Sequence, residues 1–411
     1  MKWTSTDVAR IGFVGESVAP VVVWIGVKPD TLCGEDGLAV AQECKQLLVA
    51  NEILDVEVEI RESVVTRYVG PTLRKRARST PWAEGTGGFY VTGDDSKLYL
   101  VTARHVVFKP NRADNDTYER KFSSQPRVDV ALFGTAAFNR YVERIKRAIG
   151  EKAMILEFQE RRVKEAVEGH DGMDADDAAR VRANAEGLVK EAKEAIVAFK
   201  KLCDDVEKDW ANIDNRLLGY VRFSPPIELG AGQNKYTQDY ALVEIDSSKI
   251  DAASFTGNAI DLGNQIGPAE FARLMFPNPE NRHAFEYPTN GLFKNDDPCL
   301  IVMQRGNTTG LTVGRANDIL SYVRNYFDDG DTQTSKEWAI FSYDDKSGPF
   351  SDKGDSGSGI VDCLGRLGGL LTGGDGLTES SNVTCATPIS FILDSLKANG
   401  YKVTVEATLS A

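Results

Sequence analysis

From Val181 to Ile213 the apolar residues recur in steps of three and four: Val181, Ala185, Leu188, Ala192, Ala195, Phe199, Leu202, Val206, Trp210, Ile213. That is the seam of one helix laid along another. The stretch before it repeats the pattern more roughly, through Phe138, Tyr141 and Val142, Ile145, Ala148 and Ile149, Met154 and Ile155, Phe158, Val163, Ala166 and Val167. Between the two lies GHDGMDADDAA, a turn followed by Asp-rich helix-start chemistry. Residues 136–215 therefore predict an antiparallel helical hairpin. Each arm would be on the order of 50 Å long at about 1.5 Å per residue. On either side of it the period drops towards two, so the rest of the chain must be β-rich and must tolerate a long helical insertion.

The strand signals are short and numerous. GFYVTG and KLYLVTA flank GDDS, a hairpin turn signal. After the helical stretch come LLGYVRF, DYALVEI, CLIVMQRG, TGLTVGR, WAIFSY, GIVD, LGGLLTGG and finally YKVTVEA. PISFILDSLKANG reads as a helix closed by Gly400. Upstream, residues 20–27 (PVVVWIGV) read as a buried strand. Residues 34–50 have helical spacing through Leu38, Val40 and Ala41, Cys44, Leu47 and Leu48, and residues 54–65 alternate Val56, Val58, Ile60. This β-α-β piece could bury little core alone and is expected to pack on the downstream strands. Residues 71–84 (PTLRKRARSTPWAE) are Pro-flanked and without periodicity, hence a basic linker. For Arg74, Lys75, Arg76 and Arg78 a proteolytic processing site or a nuclear signal are the alternatives.

Composition narrows the function classes. The 411 residues suggest two or three domains. A formal charge of −13 argues against binding nucleic acid or an anionic membrane through bulk charge. The longest early apolar run, Ala19–Val27, is broken by Pro20 and is far shorter than a membrane helix. The opening MKWTSTDVARIG has no secretory pattern, so a cytoplasmic protein is expected. The six cysteines (Cys33, Cys44, Cys203, Cys299, Cys363, Cys385) are scattered and form no CxxC pair. Reduced thiols are expected, and no metal site or cofactor.

Three segments carry the chemistry. LVTARHVV is a strand leading into His105; QDYALVEI is Asp239 opening an apolar strand; GDSGSG is Ser356 in a glycine-rich turn. A serine hydroxyl is a poor nucleophile until a base takes its proton, and histidine does so near neutral pH. A carboxylate must hold the ring in the right tautomer and stabilise the imidazolium. Gly354 lets the backbone aim N–H groups at a developing oxyanion, and Gly357 lets a substrate backbone approach. The backbone amides of Gly354 and Ser356 are assigned as the oxyanion donors. Asp129, in VDVALF, is the rival for the orienting carboxylate, on what should be an earlier strand. His170 falls in the hairpin turn and His283 in a polar loop, and both read as exposed structural residues.

In the order His, Asp, Ser, these segments resemble the chymotrypsin/trypsin-like serine peptidases. GTGGFYV and LYLVTARHVV look like the strands before the catalytic histidine. GDSGSGIVD and GRLGGLLTGG look like the nucleophile loop and the pocket strand. VMQRGNTTGLTVGR and TCATPISFIL are similar to intracellular fungal members. The likeness covers roughly residues 85–135 and 216–400. From His105 to Asp239 is a step of 134 residues; without the 80-residue hairpin, 54 remain, an ordinary interval for this fold.

The resemblance implies a mainly β chain, a chymotrypsin-like double β-barrel with an N-terminal β-α-β domain and a helical-hairpin insertion in the first barrel. Its expected parts are residues 1–72, the linker 73–84, a first barrel from 85–135 and 216–250, the hairpin 136–215, and a second barrel over 251–411 with a C-terminal helix and strand. It implies a serine endopeptidase acting on a protein or peptide through His105, Asp239 and Ser356. An inactive scaffold serving as a binding or signalling module is the alternative. The pocket base is expected near Phe350 and its walls near Thr372, Gly373, Gly374 and Thr384, suiting an uncharged side chain at the cleavage site. Departures from secreted members are Val106 in place of a disulfide cysteine, Arg104 in place of a small residue, and Ser358 in place of glycine. With no activation-type N-terminus before the barrel, local backbone donors are left to satisfy Asp355. The hairpin is read either as decoration or as a docking or self-association arm.

Overall fold

Near its start the chain builds an edge sheet. β1 (Trp3–Arg10) runs antiparallel to β2 (Val21–Val27), with Thr6 opposite Ile25. Helix α1 (Gly34–Ala50) then crosses over to β3 (Val56–Glu62), which lies parallel to β2 with Val23 opposite Val58. Only one side of α1 is covered: Val40, Ala41, Cys44 and Leu48 are half-buried, while Leu38 and Leu47 are exposed. β1 also pairs with a strand of the second barrel, so this piece extends that barrel's sheet. β4 (Arg74–Lys75) comes next. The structure, a computed structural model, describes residues 1–12, 19–66, 74–75, 85–108, 115–168, 175–263, 266–275, 299–327, 330–376, 378 and 382–408. Arg76 and Arg78 of the linker, His170, His283 and most of the hairpin turn lie outside the described residues.

The first barrel begins with β5 (Phe89–Gly93) and β6 (Leu98–Thr102), the hairpin read from the GDDS turn. A one-turn helix α2 (Arg104–Val107) succeeds them, then β7 (Tyr118–Glu119) and β8 (Asp129–Ala131). After the helical pair come β9 (Leu217–Ser224), β10 (Glu228–Ala231), β11 (Tyr236–Gln238) and β12 (Ala241–Ile245). Across the sheet β5, β6, β12, β9, β8 and β4 are neighbours in that order. Leu98, Leu100, Val221 and Val243 fill one face. The other face, with Phe89, Val101, Tyr240 and Leu242, packs on residues from the second barrel and the C-terminal helix.

The inserted helices form a unit of their own. α3 (Thr135–Glu168) and α4 (Ala175–Trp210) lie along each other, sealed by Phe138, Val142, Ile145, Ile149, Phe199, Cys203 and Val206. Lys146–Glu207 and Lys193–Glu160 bridge the arms. At the base the Leu132 N–H donates to the Arg216 carbonyl at 2.8 Å. Several seam residues differ from expectation: Met154, Ile155, Phe158, Val167 and Trp210 are exposed, and so is Leu202. Cys203 is buried in place of Leu202, which is 39% exposed. A straight helix has about 3.6 residues per turn, so a strict 3.5 repeat drifts and the seam passes to the next position.

The second barrel is preceded by α5 (Pro268–Met275) and consists of β13 (Leu300–Gly306), β14 (Gly310–Ala316), β15 (Ser321–Tyr326), β16 (Thr332–Ser342), β17 (Gly359–Asp362), β18 (Leu367–Asp375) and β19 (Val383–Pro388). The pairing runs β14, β13, β17, β18, β19, β16 and back to β14, a closed six-stranded barrel. Val302, Ile340, Phe350, Ile360, Leu371 and Ala386 fill it. β15 hangs from β16 and carries β1, with Ser5 opposite Val323. Helix α6 (Ile389–Ala398) buries Ile392 and Leu396 between the barrels. The last strand, β20 (Val403–Thr404), crosses back to pair with β5 of the first barrel rather than staying with the second. The chain is thus mainly β, one closed barrel beside a partly open one, with a long helical pair. Among the described residues no helix is long and apolar enough to cross a membrane.

Candidate active site

Register delivers the first two residues. Ala241 on β12 faces Thr102 on β6. Running back two residues from Ala241 and forward from Thr102 brings Asp239 up to the start of α2, where His105 sits. The carboxylate holds His105 twice. Oδ1 accepts the His105 backbone N–H at 3.1 Å, and Oδ2 lies 2.7 Å from Nδ1. Asp239, and not Asp129, therefore faces the imidazole. His105 and Asp239 have fully buried side chains, and Nε2 has no hydrogen-bond partner among the described residues. Arg104 is turned away and buried, donating to the Ser224 carbonyl and hydroxyl and to the Asp116 carbonyl. Burial lowers its pKa, an effect opposed by the nearby Asp239 and Asp116.

Ser356 lies on the turn before β17. Gly354 and Gly357, on either side, have φ of +109° and +91°, a region that favours glycine. A side chain at Gly357 would strike the Thr102 hydroxyl and the Thr86 carbonyl, each 2.3 Å from the position of its Cβ, with the Ala103 nitrogen 3.1 Å away. So Gly357 makes room for the end of β6 and for Ala103, which lead into His105. The Thr86 N–H donates to the Ser356 carbonyl at 2.8 Å, and Gly85 is wedged between that carbonyl and Val106. The histidine turn and the serine turn therefore meet. The His105 Nε2 and the Ser356 hydroxyl share no hydrogen bond. The Ser356 hydroxyl faces the Thr372 carbonyl at 3.4 Å. The backbone N–H groups of Gly354 and Ser356 donate to no partner among the described residues.

Asp355 fixes this turn. It is fully buried, and its Oδ1 accepts the N–H groups of Thr308 (2.8 Å) and Thr309 (3.3 Å). Its Oδ2 accepts the Thr309 hydroxyl (2.7 Å) and the Asp352 N–H (2.9 Å). The β13–β14 turn thus clasps the serine loop with local donors. Gly306 is required there, because a Cβ would sit 2.1 Å from Asp355 Oδ1. Thr308 and Thr309 carried no signal in the sequence beyond their place in a hairpin turn.

The pocket residues divide. Thr372, Gly373 and Gly374 line β18 past Ser356, and Thr384 lies across from Gly374 on β19. The Thr384 hydroxyl bonds that of Ser351 at 2.6 Å. Phe350 is 1% exposed and packs in the core of the second barrel, its ring under Gly314. Two further features left no signal in the sequence. Thr66 pairs with Gly374, and a buried cluster joins Arg61 of β3 to Asp7 of β1 and Asp375 of β18. Among the described residues no group of His, Cys, Asp and Glu could hold a metal ion.

No protein-family model matches the chain. No curated protein matches it either. Among solved structures it is similar to the Nocardiopsis protease NAPase at 13% identity, over 80% of this chain and 96% of that one, with a TM-score of 0.31. A likeness that slight carries no weight for fold or function.

Proposed function

We propose that the protein is a serine endopeptidase of the chymotrypsin-like type. The observation that carries this is Asp239 holding both the backbone N–H and Nδ1 of His105, with Nε2 left uncommitted among the described residues. In the proposed cycle Nε2 takes the proton of Ser356 as Oγ bonds the carbonyl carbon of the substrate. The oxyanion is met by the Gly354 and Ser356 N–H groups. Collapse breaks the C–N bond, and the imidazolium passes its proton to the leaving amine, leaving an ester on Ser356. Water then loses a proton to Nε2 and adds to the ester, and Oγ departs with that proton.

The second reading is a latent scaffold. It draws on the Ser356 hydroxyl facing Thr372 and on the full burial of His105 and Ser356. Labelling with a small fluorophosphonate separates the two. Modification at Ser356, lost in Ser356→Ala and in His105→Ala, supports the peptidase. A folded protein that is never labelled supports the scaffold.

A further inference from the structure

The edge of β18 beside Ser356 is not vacant. β17 covers β18 from Val361, opposite Leu367, to Gly359, opposite Leu370, and the serine turn continues the cover to Leu371, bonded by Ser358 and Gly357. Past that point, and past a bulge between Leu371 and Gly373, the Thr372 carbonyl faces the Ser356 hydroxyl. Because the bulge adds one residue, Gly374 presents its N–H and C=O along the same edge as Leu371. An open edge beside a nucleophile is where an extended polypeptide adds as one more strand. Here the chain itself holds the place. The Thr66 N–H donates to the Gly374 carbonyl at 2.8 Å, and the Gly374 N–H donates to the Thr66 carbonyl at 2.9 Å, an antiparallel pair.

The pair is anchored from behind. Arg61, five residues upstream of Thr66, donates to both carboxylate oxygens of Asp375, the neighbour of Gly374, at 2.9 and 2.8 Å. It also donates to Asp7 at 3.1 Å and lies over the Trp24 ring. The Thr66 hydroxyl takes no part and faces the Val64 carbonyl. The contact is therefore made by backbone alone, which is how an arbitrary peptide would bind there.

We propose that Val64–Thr66 are a built-in competitor for the strand position beside Ser356. The site rests occupied by its own chain, and an extended peptide binds as Thr66 gives up Gly374. This rests on the peptidase reading above. A tethered competitor acts at an effective concentration on the order of millimolar, so it weakens peptide binding without altering the reacting groups.

Two probes of Ser356 test it: a small fluorophosphonate, and a tetrapeptidyl phosphonate that needs the β18 edge. Thr66→Pro deletes the N–H donor, whereas Thr66→Ala keeps both backbone bonds. The peptidyl probe should label Thr66→Pro about tenfold faster than the parent, the loss of one or two backbone hydrogen bonds. The small probe should be unchanged, and Thr66→Ala should match the parent with both. An equal gain with both probes, or no gain with the peptidyl probe, overturns the proposal. Should Thr66→Pro fail to fold, hydrogen exchange on the parent decides. The peptidyl probe must expose the Thr66 amide, and continued protection overturns the competition. If the small probe leaves Ser356 unlabelled in parent and variants alike, the peptidase reading itself falls.

Discussion

Asp239 grips His105 at two points, its Oδ1 on the backbone N–H and its Oδ2 on Nδ1. A single bond would let the ring pivot. Two bonds from one buried carboxylate fix both the backbone turn and the ring, and with them the tautomer that carries its proton on Nδ1.

Asp239→Asn should keep the fold but disturb that tautomer. We expect kcat on a peptide substrate to fall by about ten-thousandfold, the size of loss such a change brings to Ser-His-Asp enzymes in general. Steady-state kinetics beside a thermal melt checks this. Activity within a few-fold of the parent would mean that Asp239 does not orient the base.

Thr309 holds the serine loop through Asp355. Thr309→Val removes one of the carboxylate's four donors and should cost about 1 kcal/mol of stability. It should also lower kcat with little change in KM, because the oxyanion donors lose their aim while the strand edge is untouched. Thr309→Ser should restore kcat. A loss of stability with kcat intact would reduce Thr309 to a packing role.

Asp7 and Asp375 share one guanidinium, Arg61. One cation does not neutralise two buried carboxylates. Burial first, then the charge of Asp375, lifts the Asp7 carboxyl from 3.8 to about 7. Because the folded value lies above the unfolded one, the contribution of this proton is complete below about pH 4 and is lost as pH rises through about 7. The melting temperature should therefore drop between about pH 4 and about pH 7, and Asp7→Asn should flatten that slope. Melts across the range decide, and parallel curves for the two proteins would count against a titrating Asp7.

The helical pair enters and leaves the chain at two residues that bond each other, Leu132 and Arg216. Replacing the segment between them with a short turn asks little of the backbone. We expect the shortened protein to fold and Ser356 to be labelled by a small fluorophosphonate at the parent rate. Loss of cleavage of a native protein substrate, with peptide cleavage kept, would assign the arm to docking. Failure to fold would make it part of the barrel's support.

What the sequence determined by itself is local. The three-and-four spacing through Ala185, Ala192 and Phe199 dictated the helices, because helix period is written in neighbouring residues. Alternation marked most strands, and the glycines around Ser356 marked a turn that needs positive φ. The pairing of His105 with Asp239 was reachable because each opens or closes a strand that reads clearly.

Only the tertiary structure decided what depends on contacts between distant residues. Nothing near Thr66 in the sequence says that it will lie on Gly374, some 300 residues away. Such a contact is made by backbone atoms that every residue has, so it leaves no mark on residue type. The burial of Arg61 between Asp7 and Asp375, the clasp of Thr308 and Thr309 on Asp355, and the packing of Phe350 in the barrel core have the same origin. Side-chain chemistry names the candidates, and sheet register and packing choose among them.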